Sequence, residues 1–185
     1  MKKAPQIMDY TEQTPLKIQS LSELITALTE EERATYSTIL HHLHIPLVDF
    51  TEFCSWSEDS YTRNCIAENE EFELILLCWN AGQKTPIHDH GGEECWVKVL
   101  DGEFRETIYK EDETGTLSEA SSAIAKTGEI TYMKDFMGYH SLENLSKKKS
   151  MSLHLYAKPI RNCNIFCEES KEITNKNLVY DTVAQ

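Results

Sequence analysis

The stretch Cys95-Trp96-Val97-Lys98-Val99-Leu100, Asp101-Gly102, Glu103-Phe104-Arg105-Glu106-Thr107-Ile108-Tyr109 decides the fold class. Two runs rich in β-branched and aromatic residues flank an Asp-Gly pair. That dipeptide tolerates positive φ and predicts a hairpin. Upstream, Phe72-Glu73-Leu74-Ile75-Leu76-Leu77-Cys78-Trp79 reads as a buried strand. Downstream, Glu129 to Met133, Tyr139 to Leu145 and Met151 to Ala157 are strand-like, and Asn177 to Val183 is a candidate last strand. Gly115 and Gly128 punctuate these segments. Many short strands at near-regular spacing, with little helix between them, predict a mainly β sandwich or barrel with jelly-roll closure.

The chain changes character near residue 45. Residues 20–44 read as helix, opened by the capping box Ser20-Leu21-Ser22-Glu23 and restarted by a second at Thr29-Glu30-Glu31-Glu32. Leu21, Leu24, Ile25 and Leu28 form one apolar stripe, and Tyr36, Ile39, Leu40 and Leu43 a second. Two short helices joined around Thr29 are expected. After Ile45-Pro46 the pattern becomes β. No repeat, low-complexity run or linker interrupts it. The expectation is a single domain over 1–185, with a helical front segment (about 20–44) and a β-barrel (about 45–185).

The chain has 185 residues, 31 Asp+Glu against 18 Lys+Arg, and a formal net charge of −13. Single cores grow to ~250–300 residues, so one core suffices. With 40% hydrophobic and 26% charged residues, this is a globular composition. The acidic balance argues against nucleic acid or an anionic membrane as a partner, since both need a positive footprint. An anionic substrate needs a local cation that overrides the global field. No run approaches the ~20 apolar residues of a membrane span. Met1-Lys2-Lys3-Ala4-Pro5-Gln6 is basic but precedes no apolar region, so no secretory signal is expected. The cysteines are Cys54, Cys65, Cys78, Cys95, Cys163 and Cys167, with no CxxC pair. They read as free thiols of a cytoplasmic protein.

The chemistry begins at Ile87-His88-Asp89-His90. On a strand, residues i and i+2 share a face, so His88 and His90 form a chelating pair. His41, His42 and His44 lie on a helix, where an H-x-H points its rings apart, and they read as an exposed helix end. The string G-x5-H-x-H-x4-C-x6-G runs from Gly82 through His88, His90 and Cys95 to Gly102. It resembles the first cupin motif, with Cys95 where many cupins carry a metal-binding Glu. Glu94 is the rival. Cys95, Val97 and Val99 form an apolar face suited to the interior, whereas Glu94 shares parity with Lys98, which belongs in water. Cys95 is therefore read as inward, with Glu94 as the fallback.

Gly138-Tyr139-His140-Ser141-Leu142-Glu143-Asn144 offers a third histidine with an H-x3-N spacing. It resembles the tail of the second cupin motif. Alone, His140 reads as a surface or core residue. With His88 and His90 it completes a three-imidazole face that suits Fe, Zn, Cu or Ni. In Met151-Ser152-Leu153-His154-Leu155-Tyr156 the apolar and polar residues alternate. This is a half-buried strand with its polar face in solvent, or a Ser-His-Tyr hydrogen-bond relay.

Tyr61-Thr62-Arg63-Asn64, Leu77-Cys78-Trp79, Ile87-His88-Asp89-His90 with Cys95, His140 with Glu143-Asn144, and Ser152-Leu153-His154-Leu155-Tyr156 follow one another in an order and spacing that resemble cysteine dioxygenase. The resemblance spans roughly residues 60 to 167. It implies a cupin barrel and an Fe(2+) held by three histidines. The implied reaction turns L-cysteine and O2 into cysteine sulfinic acid, a step of cysteine catabolism and taurine biosynthesis. By the same resemblance, His88, His90 and His140 hold the iron, and Cys95 and Tyr156 form a thioether cross-link. Arg63 pairs with the substrate carboxylate, assisted by Tyr61. Ser152 and His154 orient Tyr156, and Cys163 sits near the pocket mouth. A monomer is the expected state.

The chain departs from the family in following Tyr156 with Ala157-Lys158-Pro159 rather than Ser-Pro, whose peptide bond is cis in the family. A related group that oxidises 3-mercaptopropionate carries Gln in place of the Arg. Three readings therefore stand: a thiol dioxygenase for L-cysteine or another small thiol, a metallocupin of other chemistry, and a non-enzymatic metal-binding cupin.

Overall fold

The computed structural model describes residues 17–113, 115–134 and 137–183. The basic start Met1–Gln6 lies outside them. Twelve strands form two six-stranded sheets among these residues. They are β1 (Thr62–Glu68), β2 (Glu73–Trp79), β3 (Ile87–His88), β4 (Glu94–Asp101), β5 (Glu103–Glu111), β6 (Leu117–Lys126), β7 (Ile130–Met133), β8 (Tyr139–Asn144), β9 (Ser150–Ala157), β10 (Asn162–Phe166), β11 (Ile173–Asn177) and β12 (Thr182–Val183). One sheet has the order β12-β1-β2-β9-β4-β7, the other β11-β10-β3-β8-β5-β6. Such crossing connections between two sheets give the cupin jelly roll, a mainly β fold.

The Asp101-Gly102 turn does not make the expected hairpin. β4 pairs with β7 and β9, while β5 pairs with β6 and β8, so the turn is a corner between the two sheets. Gly102 has φ +110, and a Cβ there would collide with the Ser150 side chain. Positive φ marks a sharp change of direction but does not say which strand the chain joins next.

The β pattern also starts later than expected. Residues Leu47–Phe53 form a 3-10 helix, with Phe50 fully buried, and the first strand begins at Thr62. At the other end, the single candidate strand Asn177 to Val183 is split between β11 and β12, with a connecting stretch between them.

The front segment is two helices, α1 (Leu21–Glu30) and α2 (Tyr36–His41). Ser20 caps α1 as expected, accepting from the Glu23 N–H at 3.2 Å. Glu23 closes the box on the Gln19 N–H, one residue early. The second box at Thr29 does not form. The Thr29 hydroxyl donates to the Ile25 carbonyl inside α1, and the break falls at Glu31–Glu32. A threonine whose hydroxyl is satisfied by the preceding turn has no need to cap a new one. His41 and His44 are exposed, as read.

These helices explain why β2 is buried along its whole length. Ile75, Leu77 and Trp79 face the barrel interior together with Cys95, Val97, Val99, Phe104 and Tyr156. Leu74, Leu76 and Cys78 face outward, where Leu24, Leu28, Tyr36, Ile39, Leu40 and Phe50 cover them. Trp96, Leu100, Leu153 and Leu155 join that outer layer. Lys98 belongs to the same face and is buried rather than in water. Its ammonium donates to the Leu40 carbonyl at 2.9 Å, at the C-terminal end of α2, where a cation is favoured. Among the described residues no peptide bond is cis, and the chain turns at Lys158 with φ 86.

Candidate metal centre

β3 and β8 are neighbours in one sheet, and His88 lies directly across from His140. His90 follows two residues on, carried inward by the turn at Gly91 and Gly92. Asp89 between the histidines holds that turn. Its carboxylate accepts from the Gly91 N–H at 3.2 Å, the Asn164 N–H at 2.8 Å and the Asn164 amide at 2.7 Å. Gly91 has φ +61, and a Cβ there would lie 2.9 Å from the Asn162 carbonyl oxygen. The three imidazoles thereby bring one nitrogen each within 4.8 Å of one another.

His140 Nε2 and His90 Nε2 are 2.9 Å apart. On its far side His140 Nδ1 lies 2.8 Å from Glu106 Oε1, so Nδ1–H donates there and Nε2 presents a lone pair inward. His88 Nδ1–H likewise donates to the Pro86 carbonyl at 2.9 Å. Without a metal, His90 Nε2–H can donate to that lone pair; with one, both nitrogens can turn their lone pairs to the ion. Metal–imidazole bonds of about 2.0–2.1 Å at right angles place two ligand nitrogens about 3.0 Å apart. The set therefore fits a divalent metal. Burial, reinforced by the neighbouring imidazoles, pushes His88 down to about 3 and His90 well below the usual imidazole range. Neutral imidazole is the ligand form.

Glu94 is not part of this cluster. It is held on the outside by Arg33 Nε at 2.7 Å, Lys134 Nζ at 2.8 Å and the Tyr132 hydroxyl at 3.1 Å. Cys95 is fully buried on the inner face and pairs in register with Tyr156 across β4 and β9. Directly opposed Cβ atoms lie about 4.5–5.5 Å apart, within reach of a side-chain bond.

The polar face of β9 is inside the barrel, not in solvent. Trp79 Nε1 donates to Ser152 Oγ at 2.9 Å, and Ser152 Oγ lies 2.9 Å from His154 Nε2. With the Trp79 N–H on one lone pair, the serine hydroxyl is free to donate to Nε2, the arrangement in which His154 carries its proton on Nδ1. That Nδ1 has no hydrogen-bond partner. The relay thus stops at His154, whose ring runs near-parallel to Tyr156 with centroids 6.3 Å apart.

Arg63, Tyr61, His154 and Tyr156 share with the three histidines a small inner space of about 20 Å³. It adjoins a cavity of about 310 Å³ that includes Cys163, Lys84, Lys176 and Asp181. Arg63 Nε and Nη2 are buried without a hydrogen-bond partner. Tyr61 stacks on Trp79 at 4.6 Å. Two carboxylates reach this region that sequence reading did not place there. Glu106 supports His140, and Glu73 lies 3.9 Å from Arg63. The alternation Phe104, Glu106, Ile108 was the available sign that Glu106 shares a face with the buried Phe104.

The sequence matches the family described as Cysteine dioxygenase type I over residues 15–169. Among relatives, Cysteine dioxygenase type 1 of Danio rerio is 32% identical over 124 residues, covering 64% of this chain and 61% of that protein. The Homo sapiens protein of the same name is 29% identical over 169 residues, covering 86% and 84%. A solved double-stranded β-helix protein from Klebsiella pneumoniae is similar at 18% identity, over 58% of this chain and 80% of that one, with TM-score 0.46. An RmlC-like cupin from Desulfovibrio desulfuricans matches at 19% identity, over 63% and 100%, with TM-score 0.46. With most of its length matched, this chain belongs to the cysteine dioxygenase type I family.

Proposed function

We propose that the protein is an iron thiol dioxygenase that converts L-cysteine and O2 to cysteine sulfinic acid. The observation that carries this reading is the guanidinium of Arg63, whose buried Nε and Nη2 have no hydrogen-bond partner among the described residues and which opens onto the same small space as the three histidines. Buried polar groups are normally paired. A guanidinium with two unmet donors beside a metal-fitting cluster is a receptor for a carboxylate, which it can grip with a two-pronged fork.

His88, His90 and His140 are the residues that would hold the metal. Bound iron supplies the redox and oxygen-binding chemistry, and both oxygen atoms of O2 end on the substrate sulfur. The chain's own residues do the rest. Arg63 neutralises the substrate carboxylate and sets the distance of its thiol from the histidines. Tyr61, stacked on Trp79, braces the pocket beside Arg63. Glu106 fixes the tautomer of His140, as an oriented carboxylate does for a ligating imidazole. Ser152 holds Nε2 of His154, leaving Nδ1 without a partner among the described residues of the pocket. Tyr156, with its phenol pushed well up by burial, stays protonated and can donate to bound substrate or oxygen. A Cys95–Tyr156 thioether would hold that ring rigid. A single-domain cytoplasmic monomer completes the reading, feeding cysteine catabolism and taurine synthesis.

A second reading, 3-mercaptopropionate as substrate, is favoured by one observation. Among the described residues, no carboxylate lines the inner space to meet a substrate ammonium. Selection for cysteine would then rest on its amine binding the metal. Oxygen uptake with L-cysteine against 3-mercaptopropionate separates the two. Preferred uptake with L-cysteine and a product carrying two added oxygens are expected. An iron-loaded sample that leaves both thiols unchanged overturns the proposal.

A further inference from the structure

The C-terminal stretch from Leu178 to Val183 lies beyond the region matched to the family, yet it holds both ends of Arg63. The Arg63 N–H donates to Asp181 Oδ2 at 2.8 Å, and the Asp181 N–H donates to the Arg63 carbonyl at 2.8 Å. β12 continues this contact as a parallel neighbour of β1, pairing Asn64 with Thr182. At the side-chain end stands Glu73, whose carboxylate is completely buried. Its Oε1 accepts from the Tyr180 hydroxyl. Its Oε2 accepts from the Ile160 N–H at 3.4 Å and lies 3.9 Å from Arg63 Nη2. That last separation is too long for a hydrogen bond.

This spacing calls for an explanation. A buried carboxylate and a buried guanidinium attract strongly in a low dielectric, and a direct pair is the ordinary outcome. Here the two stop short of each other, and Arg63 keeps two donors unmet. The side chain that hydrogen-bonds Glu73 on its far side is Tyr180, with Arg161 Nη1 4.0 Å from the same oxygen. Its own phenol oxygen accepts from Arg161 Nη1 at 2.9 Å, and Glu68 Oε2 at 2.9 Å is a second acceptor for the phenol proton that Glu73 shares. Arg161 Nη2 in turn donates to Glu68 at 2.7 Å. The phenol is thus fixed from behind and draws the Glu73 carboxylate toward itself.

We propose that Tyr180 is a positioning residue that holds Glu73 at ion-pair distance and out of hydrogen-bonding contact with Arg63, leaving two guanidinium donors open for the carboxylate of the substrate. The inference rests on the thiol dioxygenase reading and deepens it: the discrimination for thiols bearing a carboxylate depends on a residue in the C-terminal stretch. Without the phenol, the buried carboxylate gains its missing partner by turning to Arg63, and substrate must then compete with it.

The test is anaerobic binding to iron-loaded protein by titration calorimetry, with L-cysteine and with cysteamine, which has the thiol and amine but no carboxylate. Wild type binds L-cysteine more tightly. Tyr180→Phe weakens L-cysteine about tenfold, the size of one hydrogen bond to a charged group, and leaves cysteamine unchanged. Adding Glu73→Gln to Tyr180→Phe removes the competing charge and restores the preference. Equal weakening of both thiols by Tyr180→Phe, no weakening of either, or no restoration in the double variant each overturns the inference. Wild-type protein that binds L-cysteine no better than cysteamine overturns instead the role given to Arg63.

Discussion

Cys95 and Tyr156 face each other in register across β4 and β9, both buried on the inner face of the barrel. A thiol and a phenol ring held opposite each other on one sheet face have the placement that an oxidative cross-link needs. Intact mass of the active protein is expected to fall two hydrogens short of the sequence mass. Cys95→Ala abolishes that deficit. A deficit that survives the substitution would falsify the pairing.

The second relationship, Glu106 with His140, predicts metal affinity. Glu106→Gln keeps the shape but gives His140 Nδ1 a weaker acceptor. Partners of this kind change metal affinity by about 10–100-fold. Competition with a chelator measures the loss, and secondary structure by circular dichroism is expected to be unchanged. Glu94→Gln, on the outside of the barrel, leaves metal affinity intact.

Arg63 predicts substrate discrimination. Hydrogen bonds to a charged group contribute about 1.5–3 kcal/mol, so Arg63→Gln is expected to lower kcat/KM for L-cysteine by at least about tenfold. Cysteamine turnover changes far less, because that thiol has nothing for the guanidinium to hold. Steady-state oxygen uptake with both thiols distinguishes this from general damage to the metal centre.

Much of this site was legible because β-strands repeat every two residues. Alternation alone placed Cys95 and Val97 inside and set Ser152, His154 and Tyr156 on one face. It did not reveal what covers the other face. Lys98 was expected in water because parity says which way a side chain points, while its burial depends on α2 packing over it. Asp101-Gly102 specified a turn but not the sheet joined afterwards. What Glu106 and Tyr180 bind was hidden for a related reason. Their partners lie 34 and 107 positions away, at His140 and Glu73, and no local period encodes such contacts.

The buried thiols predict loss of stability in alkali. Burial raises Cys65 and Cys163 to about 11 and Cys78 to about 12. An unfolded thiol titrates near 8.5. Between those values the folded chain binds more protons than the unfolded one, so stability falls as pH rises. The contribution is complete below pH ~8.5 and is lost progressively toward pH ~11 for Cys65 and Cys163 and pH ~12 for Cys78, at up to about 1.4 kcal/mol per pH unit for each thiol. Lys98, lowered by burial, works in the opposite direction over part of the same range. Urea unfolding at pH 8 and pH 10 measures the net slope. Cys78→Ala is expected to flatten it, and an unchanged slope would remove Cys78 from the account.

Gly102 and Gly82 offer a controlled comparison of the corner between sheets. Both have positive φ, +110 and +74, so alanine is strained at either position. At Gly82 none of the described residues lies within 4 Å of an added Cβ. At Gly102 the Ser150 side chain occupies that space, and Ser146 Oγ lies 2.9 Å away. Gly82→Ala is therefore expected to cost about 1–2 kcal/mol, the strain alone. Gly102→Ala adds a steric clash with β9, the strand that also carries Ser152, His154 and Tyr156. Overpacking of this kind costs a further ~1–3 kcal/mol. Urea unfolding ranks the two variants. Gly102→Ala combined with Ser150→Gly frees the space and recovers the steric part while leaving the strain. If the double variant recovers nothing, the corner is held by backbone conformation alone, and β9 is not pressed against it.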